Sequence, residues 1–163
     1  DRGVEVIFGI PGVHTIELYR GIEGVGIRHI TPRHEQGAAF MADLHGRLTG
    51  RAGVCLSTLG PGATNLLTGL YDAKVDRAPV LALSGQVPSK VKGRGAFQDV
   101  DLEGAFADVA SYSETVQAGS AHAELMNMAC KAAVVGRDVA HLVLPDEVQV
   151  RPSDADAGGP LGR

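Results

Sequence analysis

Short β-branched and apolar runs alternate along this chain with stretches whose apolar residues recur every three or four positions. VEVIF at 4–8 predicts a strand ending at a Gly-Ile-Pro-Gly turn, and 14–21 a short helix. Gly26–Ile30 is the next strand. Thr31 then predicts an N-cap, with Pro32 at the first helical position. The helix that follows, over 33–48, places Gly37, Met41, Leu44 and Leu48 on its apolar side and ends near Gly50. VCLST at 54–58 reads as a third strand. The loop LGPG at 59–62 opens a helix to Lys74, with Ala63, Leu66, Leu67, Leu70 and Tyr71 inward. PVLAL at 79–83 is apolar on both faces, as in a strand covered from both sides. A polar connection, 84–98, leads to a short helix at 101–108, an edge strand at 112–116, a helix at 121–135 and a last strand at 139–144 stopped by Pro145.

This order predicts an α/β fold: a doubly wound, mostly parallel sheet with helices on both faces. Ligands of such sheets bind beyond the carboxyl ends of the strands, near the point where strand order reverses. The loops 9–12, 31–35 and 59–62 should therefore converge. A length of 163 residues suits one domain, assigned to 1–150. The remainder, RPSDADAGGPLGR at 151–163, lacks periodicity and reads as a linker or disordered tail. The chain opens at Asp1, already inside a Gly-Val-apolar pattern, and is expected to be a piece of a longer protein.

Composition narrows the partners. The chain is 44% hydrophobic and 21% charged with net charge -4, an ordinary globular balance. It carries no basic stripe for nucleic acid and no apolar run of membrane-spanning length. Cys55 and Cys130 lie far apart and share no metal-type spacing with the six histidines. They are expected to be reduced core thiols in a cytoplasmic protein.

Three segments could carry chemistry. Glu35 opens a helix whose next turns are Ala38, Ala39, Ala42 and Gly46. That face lets a flat ligand or another backbone approach closely, and a carboxylate there is poorly solvated and suited to sharing a proton. The plainer alternative is a first-turn acid complementing the helix dipole. The loop Gly60-Pro61-Gly62-Ala63-Thr64-Asn65 presents backbone N–H groups at a helix start. It lacks the Lys-Ser/Thr ending of a P-loop and is otherwise a tight turn. Phe97-Gln98 could line a small polar pocket with a buried aromatic, or be one anchoring side chain in a surface loop. His45 is expected at the surface.

Together, VEVIFGIPG at 4–12, RHEQGAAFMAD at 33–43, STLGPGATNLLTGLYDA at 57–73, PVLALSGQVP at 79–88 and AFQDVD at 96–101 resemble the pyrimidine-binding (PYR) domain of thiamine-diphosphate enzymes of the acetolactate synthase and pyruvate oxidase group. The likeness runs from Val4 to Val150. It implies that Glu35 hydrogen-bonds the cofactor's aminopyrimidine ring and so promotes loss of the thiazolium C2 proton, after which a 2-oxo acid such as pyruvate is attacked and loses CO2. It implies that Pro11, Gly12, Pro61, Gly62 and Asn65 surround the cofactor. It implies further that Val13, His14, Phe97 and Gln98 face the substrate, with Gln98 beside the chemistry, and that Gly85 and Gln86 form the wall behind.

Two departures bear on subfamily. Val13 stands where acid-base residues or a second Gly occur in relatives, so any proton role there is absent or moved to His14. Residues 105–109 and 141–145 look more like pyruvate oxidases. The family's Gly-Asp-Gly motif, which holds the diphosphate through Mg²⁺, does not occur in the chain. The resemblance thus implies thiamine diphosphate shared with a domain outside this sequence, Mg²⁺ held by ligands outside it, and FAD as an option of the parent. It also implies a partner PYR domain in a homodimer or tetramer, and a chain inactive by itself. The reaction expected of the parent is acetolactate synthase-like carboligation. A pyruvate oxidase-like or simple 2-oxo acid decarboxylase is the alternative, and a nucleotide-binding or dimerising module the non-enzymatic one.

Overall fold

The computed structural model describes residues 3–152; most of the predicted tail lies outside them. Six strands form one sheet: β1 (Val6–Gly9), β2 (Arg28–Ile30), β3 (Gly53–Ser57), β4 (Val80–Gln86), β5 (Tyr112–Thr115) and β6 (Val139–Pro145). Their order is β2-β1-β3-β4-β6-β5, and every neighbouring pair is parallel. Strand β5 lies at an edge, as expected. The helices are α1 (Ile16–Ile22), α2 (Glu35–Thr49), α3 (Pro61–Thr64), α4 (Leu67–Val75), α5 (Leu102–Phe106), α6 (His122–Gly136) and α7 (Asp146–Gln149).

Alternation along each strand divides the core in two. Val6, Phe8, Cys55, Val80 and Ala82 join Leu70 of α4 and Phe106 of α5 on one face. Ile7, Val54, Leu56, Leu81 and Leu142 join Ala129 and Ala133 of α6 on the other, with Leu18 and Tyr19 of α1 packed against them. The four central strands are buried along their whole lengths, so they read as nearly continuous apolar runs.

Helix α2 corrects two expectations. Its cap is His34, whose Nδ1 accepts from the Gln36 N–H at 3.1 Å, rather than Thr31. Its buried face is Ala38, Ala39, Ala42, Asp43 and Gly46, while Leu44 and Leu48 are exposed. The reason is proximity. A Cβ on Gly53 of β3 would lie 1.9 Å from the Ala42 carbonyl oxygen, and one on Gly69 of α4 would lie 2.7 Å from the Ala39 Cβ. The small face is filled by this chain's own backbone, so only side chains without bulk fit there. Arg47 adds a polar tie at the far end: it donates to Asp43 Oδ1 at 2.8 Å and to Asp72 Oδ2 of α4 at 2.8 Å, and it also reaches Asp76. The helix bearing Glu35 is therefore anchored against β3 and α4.

The predicted helix to Lys74 is broken between α3 and α4; Ala63, Leu66 and Leu70 are inward, Leu67 is half-buried and Tyr71 is exposed. Asp101 caps α5 by accepting from the Gly104 N–H at 3.1 Å. His45, expected at the surface, is half-buried and meets the Phe8 ring edge-on at 6.2 Å. Cys55 and Cys130 are both buried thiols, one in each half of the core. Burial pushes the Cys55 thiol up to about 12.

Candidate functional site

The chain runs from β1 outward to β2, then returns past β1 to β3, so strand order reverses between β1 and β3. The carboxyl ends of those two strands part there, and a crevice forms between the loops that leave them. The loop after β1 carries Pro11 and Gly12, and the loop after β3 carries Thr58 and Gly60. Helix α2 starts beside them with Glu35 in its first turn.

Glu35 is half-buried, and its Oε2 accepts from Asn65 Nδ2 at 3.0 Å. Asn65 closes α3, and its own N–H donates to the Pro61 carbonyl at 3.0 Å, which fixes the amide's origin. The other carboxylate oxygen, Oε1, faces Gly62: a Cβ there would lie 3.4 Å from it. A carboxylate oriented by a neutral amide, beside a position without a side chain, can share a proton with a flat polar group laid against it.

Gly62 and Gly12 do not simply leave room for a ligand. Thr58 occupies the space where their side chains would stand. A Cβ on Gly12 would lie 2.5 Å from Thr58 Cβ, and one on Gly62 would lie 2.7 Å from Thr58 Cγ2. Sequence reasoning passed over Thr58; its one signal was its place as the last residue of the predicted strand at the switch point. Gly12 is held in turn by Thr15, whose Oγ1 donates to the Gly12 carbonyl at 3.1 Å and accepts from the Gly12 N–H at 3.2 Å.

Gly60 has φ +54 and ψ −119, a backbone state open essentially to glycine alone. It packs against Gln98, whose carbonyl oxygen would lie 2.6 Å from an added Cβ. Gln98 itself holds a left-handed φ of +62, unusual for a side-chain-bearing residue. The loop carrying Phe97 and Gln98 is thus interlocked with the Gly-Pro-Gly loop. At its base Gln86, nearly fully buried, donates from Nε2 to the Val100 carbonyl at 2.9 Å and accepts from the Val87 N–H.

The structure brings Gly12, Glu35, Gly62 and Asn65 together around Thr58, with Gln98 behind Gly60. It does not bring in the rest in the same way. Pro11 and Pro61 stand exposed on the rim. Phe97, read either as a pocket aromatic or as an anchoring side chain in a surface loop, is 84% exposed on this domain. Val13 is 78% exposed. His14 is taken up elsewhere: its Nδ1 pairs with Asp146 Oδ2 at 2.7 Å, and its carbonyl accepts from Gln149 Nε2 at 2.8 Å, tying the β1 loop to α7. Its carbonyl also crowds Gly85, where a Cβ would lie 2.2 Å away. Among the described residues, no group of three His, Cys, Asp or Glu side chains is placed to hold a metal ion. No helix among them is long and apolar enough to cross a membrane.

A second concavity, of about 520 Å³, opens at the carboxyl ends of β4, β6 and β5. It is lined in part by Gln86, Ser89, Lys92, Thr115 and Glu147, and takes in none of Gly12, Glu35, Gly62 or Asn65.

Comparisons with known proteins bear on the family. The family model described as "Thiamine pyrophosphate enzyme, N-terminal TPP binding domain" matches residues 1–105. The chain is 43% identical over 149 residues to the "Probable acetolactate synthase large subunit" of Methanocaldococcus jannaschii, covering 91% of this chain and 25% of that protein. It is 40% identical over 156 residues to the acetolactate synthase isozyme 2 large subunit of Escherichia coli, covering 95% and 28%. A 93-residue stretch is 53% identical to the "Probable 2-ketoarginine decarboxylase AruI" of Pseudomonas aeruginosa, covering 57% and 17%. The chain spans about a quarter of the length of the acetolactate synthase subunits it matches.

Proposed function

Because the chain belongs to the thiamine pyrophosphate enzymes, as their N-terminal TPP-binding domain, we propose that it supplies the pyrimidine side of a thiamine-diphosphate site in a longer protein. The reaction proposed for that protein is decarboxylation of a 2-oxo acid such as pyruvate, followed by carboligation as in acetolactate synthesis. The observation that carries the proposal is the Glu35–Asn65 pair, 3.0 Å apart, beside Gly62 at the switch point of the sheet.

The donor set fits the pyrimidine. Glu35 offers a carboxylate oxygen at a position where Gly62 lends no side chain, and Asn65 orients that carboxylate from its other oxygen. Bound there, thiamine diphosphate supplies the electron sink that a 2-oxo acid needs in order to lose CO2. Glu35 holds or returns a proton at the ring, Asn65 keeps Glu35 aimed, and the Gly60–Gln98 contact closes one wall. The Gly-Asp-Gly motif expected to hold the diphosphate through Mg²⁺ does not occur in the chain, so those ligands are assigned to another part of the parent. FAD, if the parent carries it, is assigned there too. The chain alone is proposed to be inactive.

The proposed partner is a second copy of this domain, in a homodimer or tetramer. Phe40, Leu44 and Leu48 on α2 and Tyr71 and Val75 on the adjoining α4 are all exposed, which supports an association face. A cytoplasmic location belongs to the same reading, with Cys55 a buried thiol. A simple 2-oxo acid decarboxylase is the second reading, favoured by the 53% identity to the decarboxylase of Pseudomonas aeruginosa.

The decisive experiment replaces Glu35 with Gln in the intact parent and measures CO2 release from pyruvate with thiamine diphosphate and Mg²⁺. A loss of at least about 100-fold is expected, the usual scale for a positioned proton-transfer group. Undiminished turnover would sink the role of Glu35. Product analysis separates the two readings: acetolactate marks carboligation, an aldehyde marks simple decarboxylation.

A further inference from the structure

Thr58 lies at the centre of the crevice. Its half-buried side chain touches both walls at once: Cβ and Oγ1 lie 2.5 and 2.7 Å from where a Gly12 Cβ would stand, and Cγ2 lies 2.7 Å from that of Gly62. The walls come from different strands, β1 and β3, and no strand hydrogen bond joins them beyond the pairing of Gly9 with Leu56. Past that point Thr58 fills the gap between them. Only Gly12 and Gly62 let a threonine stand between the loops, and a threonine offers a branch to each. Glu35 completes the set of contacts, since its Oε1 would lie 3.4 Å from the same Gly62 Cβ position that the Thr58 methyl crowds.

We propose that Thr58 is a positioning residue: its two branches set the spacing between Gly12 and Gly62 and so keep Gly62 at the distance from Glu35 at which a flat pyrimidine ring fits. The proposal rests on the reading of this crevice as the pyrimidine site. Thr58 does not exchange protons in it. The methyl branch bears on Gly62 and, at 3.0 Å, on the Gly12 position too, while the hydroxyl branch bears on Gly12; Thr58→Ser removes the methyl and keeps the hydroxyl.

The test uses the intact parent protein and two readouts. The first needs no cofactor. Gly62→Ala, whose new Cβ meets the Thr58 methyl, should lower the unfolding temperature by several degrees, about what overpacking costs. Thr58→Ser removes that methyl, and the Thr58→Ser/Gly62→Ala double variant should recover at least half the loss, a non-additive pair. The second readout is the concentration of thiamine diphosphate, with Mg²⁺, that half-saturates the thermal shift. Thr58→Ser should raise it about tenfold with kcat at saturating cofactor held within about threefold. Thr58→Val, which keeps both branches, should bring it back to within about threefold of wild type. Strict additivity of the 58 and 62 substitutions overturns the proposal, as does wild-type cofactor affinity in Thr58→Ser. A loss in kcat with affinity intact also overturns it, because Thr58 would then act on the chemistry. If wild type itself shows no shift with thiamine diphosphate, the pyrimidine reading of the crevice fails and the cofactor part of this proposal falls with it. A failed coupling in a protein that binds the cofactor normally removes the proposal alone.

Discussion

Glu35 and His141 are both held by neutral polar partners, yet they face opposite conditions. Glu35 lies half-buried at the mouth of the β1–β3 crevice, with Asn65 as partner and one carboxylate oxygen turned to a glycine. His141 lies fully buried in β6, its Nε2 2.8 Å from Ser84 Oγ of β4 and its Nδ1 2.9 Å from Ser113 Oγ of β5, with the Phe106 ring stacked on it at 3.8 Å. Histidine between two serines looks like a catalytic constellation when read as a residue set. Its setting makes it structural: no substrate reaches it, and burial depresses its pKa to about 3, so it stays neutral. The difference lies in access. A hydrogen-bonded titratable group does chemistry only where a second molecule can reach one of its atoms.

The largest effect that would break this comparison is structural. His141→Ala removes a stacked ring and leaves two buried hydroxyls without their partner. It should cost about 3–5 kcal/mol in urea unfolding, and a cost near zero would mean the cluster is not the stabilising one. Acid should act through the same residue. The unfolded histidine takes up its proton near 6.5, and the folded one resists until about 3. Its contribution is therefore complete above about pH 6.5 and declines by about 1.4 kcal/mol per pH unit as pH falls toward 3. The pH profile of His141→Gln, which cannot titrate, should lack that slope relative to wild type. At the crevice the expectation reverses. Glu35→Gln keeps an acceptor for Asn65 and should change the stability of the chain by less than about 1 kcal/mol, whatever it does to turnover in the parent. Smallest of all, Phe97→Ser should leave the unfolding midpoint within about 0.5 kcal/mol, because the ring is exposed. A larger loss would mean that Phe97 packs against this domain after all.

Much of the fold could be read along the chain because its signals are local. Apolar and β-branched runs marked β1, β2, β3, β4 and β6, and β4 was legible as a covered strand from the unbroken apolar run at 79–83. The loops 9–12, 31–35 and 59–62 meet at the switch point, as strand order alone requires. Helix α2 was misread for a definite reason. Its bulkiest apolar residues, Leu44 and Leu48, suggested the core face, whereas the real one is an alanine-glycine face pressed against β3 and α4. Periodicity weighs size, and here the tightest packing demands the smallest residues. The pairing of His141 with Ser84 and Ser113 was not legible, since they lie 57 and 28 residues away from it.

Sequence by itself determined the alternation of strands and helices, the Gly-Pro-Gly and His-Glu-Gln segments at their strand ends, and through them the family. These are properties of residues near one another in the chain, where turn chemistry and side-chain period act directly. Only the tertiary structure decided that Thr58 stands between Gly12 and Gly62, that Asn65 orients Glu35, that His14 is bound to Asp146, and that Phe97 points outward. Those outcomes depend on which loops pack at what distance. That distance follows from the whole sheet settling its strand order and from the close approach of α2, which no local pattern records.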